Sequence, residues 1–326
     1  MSRNLLVTGG AGFIGSHLVE VLLARGDRVV VLDDCSTGEM TNLAAVADHP
    51  ALEIVHGSVC DSLVVDECAA QVDGIVHLAA AVGVMRILER RVHSIMVNLR
   101  GTEVVLQAAL THGRLPVLLA SSSEVYGKGR SERFREDDDC VLGPTGLHRW
   151  SYACSKAMDE FLALAHHHER ELPVRITRLF NITGPRQSPA YGMVLPRFCR
   201  NAVAGRPLEV YGDGEQTRCF LHVADCVDAL LALLDHPEAV GRVVNVGGVD
   251  EVAIGALARR VAALHGKGAD VVHVPYEQAY PGGGFEDLRR RAPDTTRLRR
   301  LCDWAPTRDL DTIIRSCLTW ESALAT

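Results

Sequence analysis

Short uninterrupted apolar runs alternate with amphipathic segments through the first half of the chain. NLLVTG (4–9), RVVVLD (28–33), LEIVHG (52–57), GIVHLA (74–79) and PVLLAS (116–121) read as strands. They show no polar–apolar alternation, so both faces of each strand must be covered, which is the signature of a parallel sheet between two helix layers. The intervening segments carry helical periodicity: HLVEVLLARG (17–26), stopped by Gly26, and stretches near 62–71 and 94–112. A long helix near 151–170 follows, then the strand VRITRLF (174–180) and a late strand VVNVGG (243–248). The pattern predicts an α/β fold with a doubly wound parallel sheet. Two stretches break the alternation. Residues 182–215 are rich in Pro, Gly and Arg around one helix near 194–205, and 250–326 carry helices, a glycine run at 282–284 and basic clusters. The expected organisation is a main domain from 1–181 and 216–249, with a smaller lobe from 182–215 and 250–326.

Composition narrows the picture without changing it. The chain has 326 residues, 47% hydrophobic and 23% charged, with a formal net charge of −7. That balance disfavours a general affinity for nucleic acid or an anionic membrane. No apolar run approaches the roughly twenty residues needed to cross a bilayer. MSRNLLVTGG leaves no room for a signal peptide before the first glycine turn, so a cytoplasmic protein is expected. Ten cysteines are scattered without CxxC pairs or zinc-ligand spacing, and they read as reduced thiols. HHH at 166–168 looks like a metal motif, but neighbouring helical residues diverge by about 100° and cannot converge on one ion. No metal is expected.

The glycine turn TGGAGFIG (8–15) lies between the first strand and its helix, with Gly9, Gly12 and Gly15 in GxxGxxG spacing. Glycine permits the tight turn and the close backbone approach of a pyrophosphate, and the helix N-terminus favours its charge. Asp33 ends the second strand. A carboxylate there can take both ribose hydroxyls and would repel a 2′-phosphate, so NAD is expected rather than NADP. These features resemble a Rossmann dinucleotide-binding domain. At the other end of the chemistry, Tyr152 and Lys156 in YACSK lie four residues apart on one helical face. The ammonium and a nicotinamide charge would lower the phenol's pKa, so that Tyr152 could take a proton from a sugar hydroxyl. SSSEVYG (121–127) sits where a parallel sheet presents its active site.

TGxxGxxG, VHLAA, SSSEVYG, YxxxK and RLFNITGPR together resemble the extended short-chain dehydrogenase/reductase family, from Leu5 to about Trp320. Within it the chain is similar to nucleotide-sugar epimerases, dehydratases and decarboxylases. The resemblance implies tightly bound NAD, with Phe13, Ile14, Ser58, Val59, Leu78, Ala79, Ala80 and Asn98 around the cofactor beside the glycines, Asp33, Tyr152 and Lys156. It implies that Ser122 contacts the sugar's 4-oxygen and that Asn181 meets the substrate near its phosphates. In VYGDGEQTR (210–218), Tyr211 would lie near the base and Arg218 on the diphosphate. Ser58 stands where relatives often carry an aspartate to the adenine, and backbone groups of Val59 could replace that contact. Cys219 replaces an acidic residue common after the arginine. The helices near 94–112 and 151–170 would pair across a two-fold axis, giving a homodimer with a four-helix bundle.

Glu124 separates the possible outcomes. A 4-epimerase needs Tyr152 and Ser122 but no carboxylate. A 4,6-dehydratase resembles this site but uses an Asp–Glu pair, and here Ser123 stands at the aspartate's position. A Ser–Glu pair is similar to nucleoside-diphosphate glucuronate decarboxylases. In that chemistry oxidation at C4 creates a β-keto acid, which loses CO₂ and needs its enolate stabilised and C5 reprotonated. Ser123, Glu124 and Arg291 would handle the carboxylate and C5, with Glu124 raised in pKa to act as the donor. In RRRAPD (289–294), Arg291 matches the arginine of the decarboxylases and Arg290 the diphosphate-binding arginine of dehydratases and epimerases. RWSY (149–152) also resembles a decarboxylase of the lipid A 4-aminoarabinose pathway. The loop AAAVGVMRILERR (79–91) is unlike that of xylose-forming decarboxylases. The expectation is a UDP-glucuronate decarboxylase giving UDP-xylose or its 4-keto form. A 4-epimerase acting on UDP-glucose or UDP-glucuronate is the alternative. A non-catalytic NAD-binding regulator would have no use for the Ser–Tyr–Lys set.

Overall fold

The computed structural model describes residues 2–83, 90–189, 193–279 and 288–325. The glycine run at 282–284 and most of the distinctive part of the 79–91 loop lie outside them. Among the described residues, β1 (Asn4–Thr8), β2 (Arg28–Asp33), β3 (Leu52–His56), β4 (Gly74–His77), β5 (Val117–Ser122), β6 (Val174–Phe180) and β11 (Arg242–Gly247) form one seven-stranded sheet. Its order is β11-β6-β5-β4-β1-β2-β3, parallel throughout. The continuous apolar runs serve two cores by simple alternation. Leu5, Val7, Val29 and Val31 face one core, and Leu6, Val30 and Leu32 face the other. The first core is closed by α1 (Phe13–Ala24) and α6 (Val223–Asp235). The second is closed by α2 (Ser62–Ala69), α3 (Arg91–Thr111) and α4 (Trp150–Arg170).

The first helix begins four residues earlier than its apolar stripe suggested. Gly12 is its N-cap and makes no side-chain cap, so the first-turn N–H groups face the loop after β1. The glycine positions are sterically enforced. Gly9 has φ +72°, and a Cβ there would stand 2.7 Å from Ala79 N. A Cβ on Gly15 would collide with the Gly9 carbonyl and lie 2.8 Å from Gly10 Cα. Gly15→Ala is therefore expected to push α1 off β1. The expected cost is about 1–3 kcal/mol of stability, with loss of detectable NAD binding, read by thermal melting and isothermal titration. Unchanged melting and affinity would show that the turn has slack.

The second lobe has its own core. α5 (Val194–Val203), α7 (Ile254–His265) and α10 (Leu310–Leu324) bury Leu195, Phe198, Leu257, Val261, Ile313 and Ile314. Short strands complete it: β8 (Leu208–Tyr211) pairs with β13 (Val271–Val274), and β9 (Thr217–Cys219) lies between β12 (Glu251–Ala253) and β14 (Arg290–Arg291). β7 (Ile182–Thr183) and β10 (Leu221–His222) form a parallel bridge beside the main sheet. The helix α8 (Tyr276–Ala279) follows β13, and α9 (Thr296–Cys302) precedes α10. Leu298 and Trp304, from the segment assigned above to the smaller lobe, bury instead in the first core, beneath the sheet. The triple histidine ends α4, where His167 Nδ1 lies 2.9 Å from the Leu172 carbonyl. No described helix is long and apolar enough to cross a membrane.

Candidate active site

A cleft of about 460 Å³ runs along the carboxyl edge of the sheet and under the second lobe, within the usual range for ligand sites. Gly9, Gly12, Phe13, Ile14 and Gly15 line one end, with Asp33 and Val59 beside them. Asp33 accepts from Ala11 N at 2.9 Å and Cys35 N at 2.8 Å, which fixes its carboxylate at the mouth of the glycine turn. Burial pushes its pKa up against those two bonds. An uncapped helix N-terminus, glycines that admit no Cβ and a clamped acid at the end of β2 fit a dinucleotide. Leu78, Ala79 and Ala80 continue the same wall.

Two residues expected around the cofactor lie elsewhere. Ser58 does not line the cleft. Its hydroxyl accepts from Cys60 N at 3.2 Å, closing a local turn, while neighbouring Val59 faces inward. Asn98 is buried behind the wall. Its Oδ1 accepts from Ala81 N at 2.9 Å and its Nδ2 donates to Ser155 Oγ at 3.0 Å, so it ties the loop after β4 to α4.

At the centre, β5 delivers Ser121 and Ser122, and a single 3₁₀ turn, Ser123–Tyr126, delivers Glu124. Ser122 Oγ accepts from Glu124 N at 3.2 Å and also bonds the Tyr152 phenol. Ser121 donates to Glu160 at 2.5 Å, and Glu160 is forked by Arg178, which locks the serine strand to α4. Ser122, Ser123, Glu124, Tyr152 and Lys156 all line the cleft, as do Asn181, Tyr211, Arg218 and Arg291.

Glu124 is gripped from two sides. Its carboxylate is bonded by Arg149 Nη2 at 2.9 Å and by Arg291 Nη1. Burial pushes its pKa up, but the charges and bonds of the two arginines outweigh it and hold it at about 2. With these two arginines alone acting on it, Glu124 is a carboxylate. The groups around Tyr152 act on it in both directions. Burial pushes the phenol's pKa up, with Glu124 and Asp159 adding to it and the Ser122 bond and Arg291 opposing. Lys156 is paired to Asp159 at 2.8 Å, so its charge is compensated before it reaches the phenol.

Strand geometry separates the two arginines that the sequence left ambiguous. In β14, Arg290 pairs with Thr217 and Arg291 with Arg218, and successive side chains point to opposite sides. Arg291 enters the cleft, where its Nη2 also donates to Asn181 Oδ1 at 2.9 Å. Arg290 points out, held by Glu251 at 2.8 Å, and does not line the cleft. Asn181 has φ +41°, a conformation that asparagine tolerates, and its Nδ2 donates to Cys219 O at 2.9 Å. At the far end, Arg218 is buried and donates to the Thr217 and Leu288 carbonyls, while the Arg197 guanidinium lies 4.1 Å from the Tyr211 ring centroid.

Three residues in this arrangement were not named as site residues from the sequence. Arg149 was visible only as part of RWSY. Arg197 needed the fold to bring α5 over Tyr211. Asp159 sits at i+3 from Lys156, a helical spacing that could have revealed it.

A Rossmann sheet with a Ser–Tyr–Lys set under a second lobe defines the class of a dinucleotide-dependent enzyme. The chain belongs to the NAD dependent epimerase/dehydratase family, whose model matches residues 5–247. It is a NAD-dependent nucleotide-sugar modifying enzyme. It is 41% identical over 321 residues to a UDP-N-acetyl-alpha-D-glucosaminuronate decarboxylase of Bacillus cytotoxicus, covering 98% of both chains. It is 38% identical over 325 residues to a dTDP-glucose 4,6-dehydratase of Streptomyces griseus, covering 98% of this chain and 94% of that one. Among solved structures, a dTDP-glucose 4,6-dehydratase from Streptomyces venezuelae with NAD bound superposes with a TM-score of 0.85 at 33% identity. That match covers 97% of this chain and 96% of that one.

Proposed function

We propose that this chain decarboxylates a UDP-hexuronate, either UDP-glucuronate or its 2-acetamido counterpart, through a 4-keto intermediate. One observation carries the reading: Arg149, Arg291 and Glu124 form a charged cluster in the cleft beside Tyr152. Two guanidiniums are a natural seat for a substrate carboxylate. The 41% identity to the Bacillus cytotoxicus decarboxylase supports the same outcome.

Tyr152 takes the proton of the 4-hydroxyl, and Ser122 holds the oxygen. NAD, which the glycine turn and Asp33 would hold, would supply a reversible hydride acceptor for C4, so that no net redox change is expected. With a ketone at C4, the C5 carboxylate is β to a carbonyl and CO₂ leaves readily. Arg149 and Arg291 orient that carboxylate. When they share their charge with it, their hold on Glu124 weakens, and the second carboxylate nearby pushes the Glu124 pKa up. A proton donor for C5 is thereby made only in the loaded site. Ser123 replaces the acid that a dehydratase would use against the 6-hydroxyl, and a serine hydroxyl is too weak an acid for that step.

A 4-epimerase reading draws on the same residues. Two arginines already satisfy Glu124, which also suits a carboxylate that only shapes the site. Product mass separates the two readings. The purified protein is incubated with NAD and each UDP-hexuronate in turn. Loss of one CO₂ supports decarboxylation, and an unchanged mass with a new sugar isomer overturns it in favour of epimerisation.

The proposal includes a homodimer. Val92 and Met96 on α3, and Met158 and Phe161 on α4, are exposed on outward faces that two copies would bury as a four-helix bundle. Phe161→Glu is expected to halve the mass in light scattering. A wild-type monomer would remove this part of the reading.

A further inference from the structure

The reaction outlined above uses Lys156 but not the carboxylate beneath it. Asp159 is fully buried, one helical turn beyond Lys156 and 2.8 Å from its ammonium. Burying a carboxylate costs several kcal/mol unless it is paired (about that size by the usual reckoning), so its presence calls for a reason. Glu160, the next residue, is taken up by Arg178 and Ser121 and cannot serve Lys156.

Behind Asp159 runs a buried polar chain. The Thr102 hydroxyl on α3 stabilises its carboxylate. Thr102 Oγ1 lies 3.4 Å from His77 Nε2, and His77 Nδ1 lies 2.7 Å from Thr8 Oγ1 at the end of β1. The Thr8 oxygen accepts from Ala79 N at 3.3 Å, leaving its proton for His77 Nδ1. His77 then carries its hydrogen on Nε2 and donates to Thr102, whose own proton is free for Asp159. Burial, with Lys156 nearby, pulls the His77 pKa down to about 3, so the ring is neutral. Neither Lys156 nor Thr102 is well aligned to the carboxylate as a hydrogen bond, so charge dominates the contact.

We propose that Asp159 is a positioning residue for proton transfer: it aims the Lys156 ammonium and offsets its charge, and so sets the pH at which Tyr152 accepts a proton. The charged and titratable groups around this unit are few. Glu124 and Arg291 face Tyr152 from the serine turn and β14, and Lys156, Glu160 and His77 surround Asp159 from α4 and β4. Asp159 acts on the phenol in the direction that disfavours the phenolate. The proposal rests on Tyr152 as the proton acceptor and is independent of whether CO₂ leaves afterwards.

The test is the pH dependence of kcat/KM for nucleotide-sugar turnover by Asp159→Asn. Removing the negative charge makes the phenolate easier to form, so the acidic limb is expected to move to lower pH by about half a pH unit or more. Loss of the aimed ammonium is expected to lower kcat about tenfold. Asp159→Glu should return the limb to its wild-type position. An alkaline absorbance titration, read as the difference from Tyr152→Phe, should show the same downward movement without turnover. Thr102→Val, which only weakens the support of Asp159, should move the limb in the same direction by less, and it decides the matter should Asp159→Asn not fold. A fall in kcat with the limb unmoved in both variants would make Asp159 merely structural. A wild-type product that keeps its carbon count overturns decarboxylation but leaves this shift to be read.

Discussion

Tyr152→Phe is expected to lose about a thousandfold or more in turnover, at the upper part of what a positioned acid–base contributes, while NAD affinity changes little. The phenol has no substitute in the cleft. Ser122, its hydrogen-bond partner, titrates far too high to act as a base, and Glu124 is held by Arg149 and Arg291. Phenylalanine fills the same space, so the loss is chemical rather than steric. The block should fall on the first half-reaction. In single-turnover experiments, NADH absorbance should fail to appear with any UDP-hexuronate. In the wild type, kcat/KM should rise with pH along an acidic limb, because the phenol must give up its proton and burial resists this. Retention of NADH formation by the phenylalanine variant would move the base elsewhere.

Much of this was legible in the sequence because it depended on local chemistry. Strand runs such as RVVVLD and VRITRLF correspond to β2 and β6 with no shift, since a strand buried on both faces leaves a continuous apolar mark. The glycine turn could be read because Gly9 and Gly15 have steric reasons to be there. What could not be read were relations between distant segments. Glu124 meets Arg291 across 167 residues, and no spacing announces that a second-lobe strand will clamp a turn in the first domain. For that reason the sequence weighed Glu124 against a substrate carboxylate alone, without the two arginines that hold it low until a substrate shares their charge. Arg290 and Arg291 were indistinguishable until the register of β14 against β9 assigned one to each face. The Ser58 hydroxyl accepts from Cys60 N, a local choice of partner that sequence alone does not disclose.

Glu124→Gln carries the second large effect and tests the outcome rather than the oxidation. Glutamine keeps the shape but cannot deliver a proton, so release of CO₂ is expected to fall by about 100-fold to 1000-fold. NADH formation in a single turnover should stay near wild type, because Tyr152 and Ser122 remain. The variant also removes the counter-charge of two largely buried guanidiniums. Without substrate this destabilises the fold, by about 3 kcal/mol at the scale of a broken buried pair, and melting should register it. A UDP-hexuronate supplies the missing carboxylate, so it should bind the variant more tightly than the wild type and raise its melting temperature by more. A lower KM together with a lower kcat separates this account from simple damage, which raises KM or leaves it alone. If Glu124→Gln instead releases CO₂ at the wild-type rate, Glu124 only shapes the site, and the C5 proton must come from solvent or from Tyr152.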